Sequence, residues 1–582
     1  MQLSFSWDRP QKRQKVFVLR RYLVLSVLLG SMFVLGLRGA QLHLFENDFL
    51  RNKGDQRHLR TISIAADRGV ITDRHGEPVA ISTPVDSVWA NPSELITARD
   101  QWGKLAQILD INPEQLQQHL MKRSQRGFVY LKRHVNPEVA QKVKELALPG
   151  IALQREYRRY YPAGEVMGHV IGFTDIDDNG QEGLELTFNE LLKGTDGSKR
   201  IMKDNLGRAV ETVENIVTPH AGKPLTLSID QQLQYITYRE LKAAVKKHKA
   251  RAGTAVIMDA NTGEVLAMVN QPAFNPNDRS RLRSNSYRNR AVTDVFEPGS
   301  TIKPFTIAAA LESGRFHARS RIDTSPGTLK VGRKLIRDIR DHGIIDMATV
   351  LQKSSNVGAT KMALSIKPEY LWQTLSDAGF GKQTNSVFPG ESSGLLSDYQ
   401  NWNEIEHATH AYGYGMSVTN LQLARAYVVL ANGGRLLPVS VQRRDDAPEG
   451  FRVMHEKTVK QVLHMMESVI EEGGSGELAK VAGYRVAGKT GTVHKAGPGG
   501  YQEDKYLSMF AGVVPASRPR LVMTIMIDEP KGKEYFGGRV AAPVFANVMR
   551  DALRLMDIAP DDKKLLRAQM LPGSPMSSEV TL

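Results

Sequence analysis

Apolar and polar positions alternate in three regimes along this chain. From Tyr22 to Leu37 no charged residue interrupts an apolar run, and Arg9, Lys12, Arg13, Lys15, Arg20 and Arg21 precede it. The run is slightly short for a membrane span, but Arg20, Arg21 and Arg38 can snorkel at its ends. The pattern predicts an uncleaved anchor over residues 22–41. The basic flank predicts a cytoplasmic segment 1–21 and an exported body. The rival reading, a cleaved signal peptide, has only the poor small-x-small site Gly39-Ala40-Gln41.

The second regime, residues 42–222, has mixed short periods. Arg68 to Gly76 reads as strand then turn, and Glu114–Leu120 and Pro137–Leu146 read as surface helices. Asp177-Asp178-Asn179-Gly180 reads as a turn, because the EF-hand spacing is missing. The breaker-rich stretch Thr218 to Pro224 ends this part.

The third regime begins with a strand over Leu225–Ile229 and a helix over Asp230–Lys246. Ala255–Asp259 and Glu264–Val269 flank Asn261-Thr262-Gly263, a hairpin signal. Helices are expected through the middle: Pro304–Leu311 with Gly314 as a stop, Met347–Met362 as a helix or helix–loop junction, and Leu421–Leu430 stopped by Asn432-Gly433-Gly434. Strands return at Tyr484–Ala487, Leu507–Val514 and Leu521–Ile527, and Val544–Leu555 closes with a helix. Strands at both ends with helices between them predict an α+β domain over residues 223–557, its antiparallel sheet taking outer strands from both ends of the segment. Residues 558–582 are polar and read as a disordered tail. No internal repeat is visible.

Composition changes this picture little. At 582 residues, 41% hydrophobic and 24% charged, the chain is globular and multidomain. It has no cysteine, which excludes disulfides, Cys-ligated metals and thiol catalysis. The net charge of +15 is spread along the chain without interleaved aromatics. Attraction to an anionic membrane or wall polymer therefore suits it better than nucleic-acid binding.

The candidate chemistry lies in three short motifs. Ser300-Thr301-Ile302-Lys303 follows the turn-forming Pro298-Gly299. With a helix starting there, Ser300 and Lys303 share a face, so a hydroxyl nucleophile sits near an amine base. Pro304 is tolerated only in a first turn, which places the helix start near Ser300. Ser354-Ser355-Asn356 offers a proton relay at Ser354 and a carbonyl-holding amide at Asn356. On a strand, Thr490 and Thr492 of Lys489-Thr490-Gly491-Thr492 share one face while Lys489 points to the other. Gly491 admits a close backbone, which suits a peptide laid along the strand with its carboxylate held by the threonines and the lysine's field. A Walker loop is excluded because a strand continues after Lys489. Gly497-Pro498-Gly499-Gly500 reads as a hairpin tip.

Each motif alone is weak; in this order they form the serine acyl-transfer set of β-lactamases and penicillin-binding proteins. Over nearly its whole length the chain resembles the class B penicillin-binding proteins. Arg288 to Ser300, ending Phe-Glu-Pro-Gly-Ser, looks like the division-specific subgroup, where the elongation subgroup usually has Tyr-Pro-Pro-Gly-Ser. Arg68-Gly69 through Asp73-Arg74 and Gly180 to Glu185 look like the family's pedestal motifs; Gly413-Tyr414-Gly415 and Tyr535 to Gly538 also fit.

The resemblance implies a penicillin-binding/β-lactamase-like transpeptidase domain, a sheet with helices on both sides, behind a dimerisation-like pedestal over 42–222 and one transmembrane helix. It implies D,D-transpeptidation of peptidoglycan stem peptides, from a D-Ala-D-Ala donor to an amine acceptor, with β-lactams as mimics. Ser300 would attack, Lys303 would take its proton, Ser354 with Lys489 would protonate the leaving D-alanine, and the N–H groups of Ser300 and Thr492 would form the oxyanion hole. Asn356, Thr490, Gly491 and Thr492 would bind substrate. No metal or other cofactor is implied, and no nucleic acid. The implied partners are a shape-elongation-division-sporulation family glycosyltransferase and other division proteins at the inner membrane, with the catalytic domain periplasmic. Val493-His494-Lys495 departs from the small-then-basic pattern and leaves donor selectivity open. The alternatives are a D,D-carboxypeptidase or β-lactamase of the same fold, and a non-catalytic β-lactam-binding scaffold or sensor.

Overall fold

Five antiparallel strands in the order 2-1-5-4-3 form the sheet on which the three motifs converge. In chain order they are β1 (Ala252–Asp259), β2 (Val265–Gln271), β3 (Ala487–Gly497), β4 (Gly500–Val514) and β5 (Leu521–Asp528). The outer strands, β2 and β3, come from opposite ends of the segment, as the sequence pattern predicts. β1, β2 and β5 are buried at every position, which explains why their sequences read as continuous apolar runs. This computed structural model describes residues 12–44, 59–203, 209–280, 285–497 and 499–562. Residues 1–11, the tail beyond 562 and Pro498 of the hairpin tip lie outside them.

Helices pack against this sheet. α1 (Gln231–Lys247) begins at Asp230, whose side chain accepts from the N–H groups of Gln232 and Leu233, as an N-cap should. α2 (Lys303–Glu312) is buried from Lys303 through Ala310; its run Pro-Phe-Thr-Ile-Ala-Ala-Ala is apolar on all sides, as an interior helix requires. α3 (Met347–Lys353) and α4 (Asn356–Leu364) are separated by Ser354 in the left-handed region. α5 (Asn420–Ala431) starts with a capping box between Thr419 and Gln422 and is buried throughout except at Arg425. α6 (Ala542–Leu555) closes the segment.

Packing divides the chain into two units. This catalytic-motif unit comprises residues 66–84, 157–195 and 221–582. The pedestal motifs Arg68-Gly69 and Gly180 to Glu185 belong to this unit, and the Glu185 carboxylate is fully buried between Arg68 and Arg159, each guanidinium 2.7 Å from one oxygen. The other unit comprises residues 1–65, 85–156 and 196–220. It holds a three-stranded sheet of Leu59–Ile64, Gly197–Lys203 and Ala209–Val217. A second core lies around Val88, Leu95, Trp102, Leu105, Leu116 and Val143. A 33-residue helix, Lys12–Leu44, contains the expected apolar run, and its residues 18–44 are long and apolar enough to cross a membrane.

Three expectations need correction. Tyr484–Val486 is not strand: the Tyr484 N–H donates to Val481 and that of Arg485 to Asp561, so the ladder starts at Ala487. The strand at Leu225–Ile229 shortens to Leu225–Thr226, because the Ser228 N–H turns to the carbonyl of Val441. The middle is not all helix: two ribbons pair Arg321–Asp323 with Ile344–Asp346 and Thr328–Val331 with Lys334–Arg337. The two-residue turn Gly332-Arg333, with Gly332 at φ +52°, was the signal for the second ribbon.

Candidate functional site

Ser300 sits in a tight 3₁₀ turn, Gly299–Ile302, that runs directly into α2. Gly299 makes the turn possible. Its φ is +52°, and a Cβ there would lie 2.3 Å from Val493 Cγ1. Gly413 is the other half of this contact: Gly299 N donates to its carbonyl at 3.0 Å, and a Cβ on Gly413 would strike Gly299 O at 2.2 Å. The turn is held from below by Tyr427, whose hydroxyl donates to Thr301 O at 2.8 Å. Ser300 itself is half-buried, and at a helix start its N–H has no intrahelical acceptor.

Lys303 is fully buried. Its Nζ donates to the Ser354 carbonyl, to Asn356 Oδ1 at 2.8 Å and to Ser354 Oγ at 3.3 Å. Those three acceptors match the three N–H bonds of an ammonium. Lys489, also fully buried, donates from Nζ to the same Ser354 Oγ at 2.9 Å and to Thr490 O at 3.1 Å. One hydroxyl is thus shared by two lysines that are 186 positions apart in sequence. Burial pushes Lys303 down to about 7, with the nearby Asp338 charge opposing the shift. Burial, and then the charge of Lys303, holds Lys489 well below the usual lysine range. Two amines of low basicity around a hydroxyl can pass a proton either way.

The Ser354 position depends on an abrupt helix break. Ser354 has φ +58°, and Ser355 N-caps α4, its Oγ accepting from Gly358 N at 2.8 Å. Asp338, at the end of the unforeseen ribbon, clamps this junction. Its carboxylate accepts from Asn356 N at 2.5 Å, Val357 N at 3.0 Å and the Ser355 hydroxyl. Asn356 Nδ2 donates to Arg337 O at 3.1 Å, which leaves one of its two N–H bonds over.

The strand motif behaves as alternation requires. The odd face of β3 meets the nucleophile turn: a Cβ on Gly491 would lie 3.0 Å from Thr301 Cγ2 and 3.2 Å from Pro298 O. The even face carries the two threonine hydroxyls, and Thr490 Oγ1 lies 3.4 Å from Lys489 Nζ. Thr490 Oγ1 donates to Ser475 Oγ at 2.9 Å, and Thr492 Oγ1 accepts from Gly537 N at 2.9 Å. The Thr492 hydroxyl hydrogen is not used in that bond. Ser300, Lys303, Ser354, Asn356 and Lys489 to Thr492 therefore converge. The Ser300 hydroxyl makes no hydrogen bond among the described residues, so the expected serine–lysine contact is replaced by the lysine's bonds to Ser354 and Asn356. Asp338 and Ser475 were missed. Gly332-Arg333 could have pointed to the first; no local signal marks the second.

Comparison with known proteins agrees with this arrangement. Residues 253–550 match the penicillin binding protein transpeptidase domain, and residues 63–227 match the penicillin-binding protein dimerisation domain. The peptidoglycan D,D-transpeptidase FtsI of Escherichia coli K12 is 43% identical over 570 residues, 96% of each chain. A probable peptidoglycan D,D-transpeptidase PenA of Neisseria meningitidis is 40% identical over 542 residues, 92% of each. Among solved structures, a peptidoglycan synthetase from Bifidobacterium adolescentis is 27% identical at a TM-score of 0.68, covering 87% of this chain and 98% of that one. The transpeptidase domain of penicillin-binding protein 3 from Burkholderia pseudomallei is 42% identical at a TM-score of 0.53, covering 58% and 97%.

Proposed function

This chain belongs to the class B penicillin-binding proteins, with a dimerisation and a transpeptidase domain, and from that premise we propose that it is the septal peptidoglycan D,D-transpeptidase of its cell. The observation that carries the proposal is the shared hydroxyl: Ser354 Oγ lies 3.3 Å from Lys303 Nζ and 2.9 Å from Lys489 Nζ, and the half-buried Ser300 stands in the turn that leads into Lys303.

Lys303 in its neutral form has two N–H bonds and one lone pair. The lone pair takes the Ser300 proton as Ser300 Oγ attacks the carbonyl between two D-alanines. The N–H groups of Ser300 and Thr492 stabilise the oxyanion. Collapse of the adduct breaks the C–N bond, and the proton passes through Ser354, backed by Lys489, to the departing D-alanine. Thr490 and Thr492 hold the terminal carboxylate, and Gly491 lets the peptide lie against β3, with Asn356 donating its remaining N–H to a substrate carbonyl. An amine from a second stem peptide then attacks the acyl-enzyme, so one amide replaces another and no nucleotide is needed. β-Lactams acylate Ser300 by the same route.

The apolar helix Lys12–Leu44 and the basic residues before Tyr22 support a single-pass inner-membrane anchor with a cytoplasmic N-terminus and a periplasmic catalytic domain. A glycosyltransferase of the shape-elongation-division-sporulation family and other division proteins are the partners proposed for such an anchor. Labelled penicillin should attach covalently to the wild type and not to Ser300→Ala. Wild-type protein with donor and amine acceptor should yield cross-linked dimer; hydrolysed monomer alone would make it a carboxypeptidase, and absence of covalent labelling a sensor or scaffold. Depletion should give filaments, and round cells would contradict the septal assignment.

A further inference from the structure

The ribbon that pairs Thr328–Val331 with Lys334–Arg337 carries four basic residues, Lys330, Arg333, Lys334 and Arg337, and no acidic one. All four are exposed, and none has an ion-pair partner among the described residues. The acyl-transfer chemistry above uses none of their side chains. Cations crowded onto one short ribbon repel one another. Their cross-strand neighbours, Leu335, Val331 and Thr328, supply no carboxylate to offset that repulsion.

The fold holds this ribbon in place at both ends. Its inward face is apolar: Val331 and Ile336 are buried, and Leu329 packs against the same core. At the tip, a Cβ on Gly332 would lie 3.2 Å from Ile405 Cδ1, so the turn rests on the helix Glu404–His410. The register sets Lys330 opposite Leu335 and Arg337 opposite Thr328, which puts both cations on the outward face. The far end of the ribbon meets the catalytic site. Arg337 O accepts from Asn356 Nδ2 at 3.1 Å, and Asp338, the next residue, accepts from Asn356 N. At about 3.3 Å per residue, the cationic tip lies roughly 10 Å beyond that contact. A glycan strand with one stem engaged at Asn356 therefore has these cations within reach of its next parts.

We propose that this ribbon is a docking surface for the glycan strand, and that it binds carboxylates of stems other than the one being cleaved. This rests on the transpeptidase reading. Each unreacted stem ends in a D-alanine carboxylate, and a glycan strand repeats its stems, so one strand presents several such groups. Lysine and arginine side chains on a fixed backbone suit repeated carboxylates. Once one stem is engaged, the second contact is effectively intramolecular. The enzyme then favours stems on an unreacted glycan strand over free stem peptides. That preference is electrostatic and falls as salt rises.

The test compares D-alanine release by the full-length enzyme from an uncross-linked glycan strand and from a free D-Ala-D-Ala-terminated stem peptide, as kcat/KM per stem. The wild type should prefer the glycan strand by about tenfold to a hundredfold at low salt. Raising the ionic strength from about 0.05 M to about 0.5 M, which shortens the screening length about threefold, should remove most of that preference. Lys330→Glu, Arg333→Glu and Lys334→Glu combined should bring the ratio towards one, with free-peptide turnover and penicillin acylation near wild type. Lys330→Arg with Lys334→Arg should retain it. Should the triple reversal lose penicillin acylation, Arg333→Glu alone, at the exposed turn, takes its place and should lower the ratio in part. A wild-type ratio near one, a ratio indifferent to salt, or a ratio unchanged by the reversal overturns the docking surface. So does a reversal that leaves the ratio intact but abolishes binding to vesicles of anionic phospholipid, which would make the ribbon a membrane contact. Binding is also read without chemistry: Ser300→Ala should co-sediment with uncross-linked glycan strands in a salt-sensitive way that the reversal removes. If the wild type releases no D-alanine from either substrate while this binding persists, the transpeptidase reading fails and the docking surface stands.

Discussion

If Lys303 is the base that takes the Ser300 proton, acylation must follow the fraction of Lys303 that is neutral. An unperturbed lysine near 10.4 is neutral in fewer than about one molecule in a thousand at pH 7. Burial brings Lys303 to about 7, so roughly half is neutral there, a gain of about three orders of magnitude in competent enzyme. With that value, about a tenth is neutral at pH 6 and about nine-tenths at pH 8. The second-order rate of β-lactam acylation, followed by stopped flow on the full chain, should therefore rise about eightfold to tenfold between pH 6 and 8 and then level. Asp338 supplies a second arm. Its charge opposes the downward shift of Lys303, so Asp338→Asn should move the rising limb to lower pH, even though losing the clamp on Ser355 to Val357 also lowers the plateau. A rate flat from pH 6 to 8, or one still climbing tenfold per unit above pH 9, would refute Lys303 as a low-pKa base. A limb that moves upward in Asp338→Asn would refute the electrostatic account.

Stability should carry the same signature. Lys303 titrates near 10.4 when unfolded and about 7 when folded, so the unfolded chain binds more protons in that window and stability rises with pH from about 7 to about 10; Lys303→Met should flatten part of that rise in denaturant titrations. Gly299→Ala should cost about 1–3 kcal/mol from its positive φ alone and slow penicillin acylation further, because its Cβ meets Val493; pairing it with Val493→Ala should restore part of the acylation rate, and no restoration would discount the clash. Glu185→Ala leaves Arg68 and Arg159 buried without their shared counter-ion, so urea unfolding should show a loss of about 3–5 kcal/mol, and a loss below about 1 kcal/mol would contradict the burial argument.

Local pattern carried much of this molecule. The apolar run beginning at Tyr22, the hairpin over Asn261 to Gly263, the apolar strands at both ends of the sheet and the helix started by Pro304 are all set by neighbours a few residues apart, where period, turn chemistry and proline geometry act. The identity and order of Ser300, Lys303, Ser354, Asn356 and Lys489 to Thr492 were legible for the same reason: each motif is short. What tertiary structure decided lies at long sequence separation. No periodicity places Lys489 against Ser354, 135 positions away, or Asp338 under Asn356, or Gly413 against Gly299. The lysine pKa values depend on complete burial, and the left-handed Ser354 depends on two helices that each need their own terminus at that point. Even the expected Ser300–Lys303 contact is redirected, because a buried ammonium requires three acceptors and the fold supplies them from Ser354 and Asn356. The sequence by itself determined which groups are the candidates for the chemistry; only the packed structure decided their protonation, because desolvation and charge pairing belong to the space around a residue and not to its neighbours in the chain.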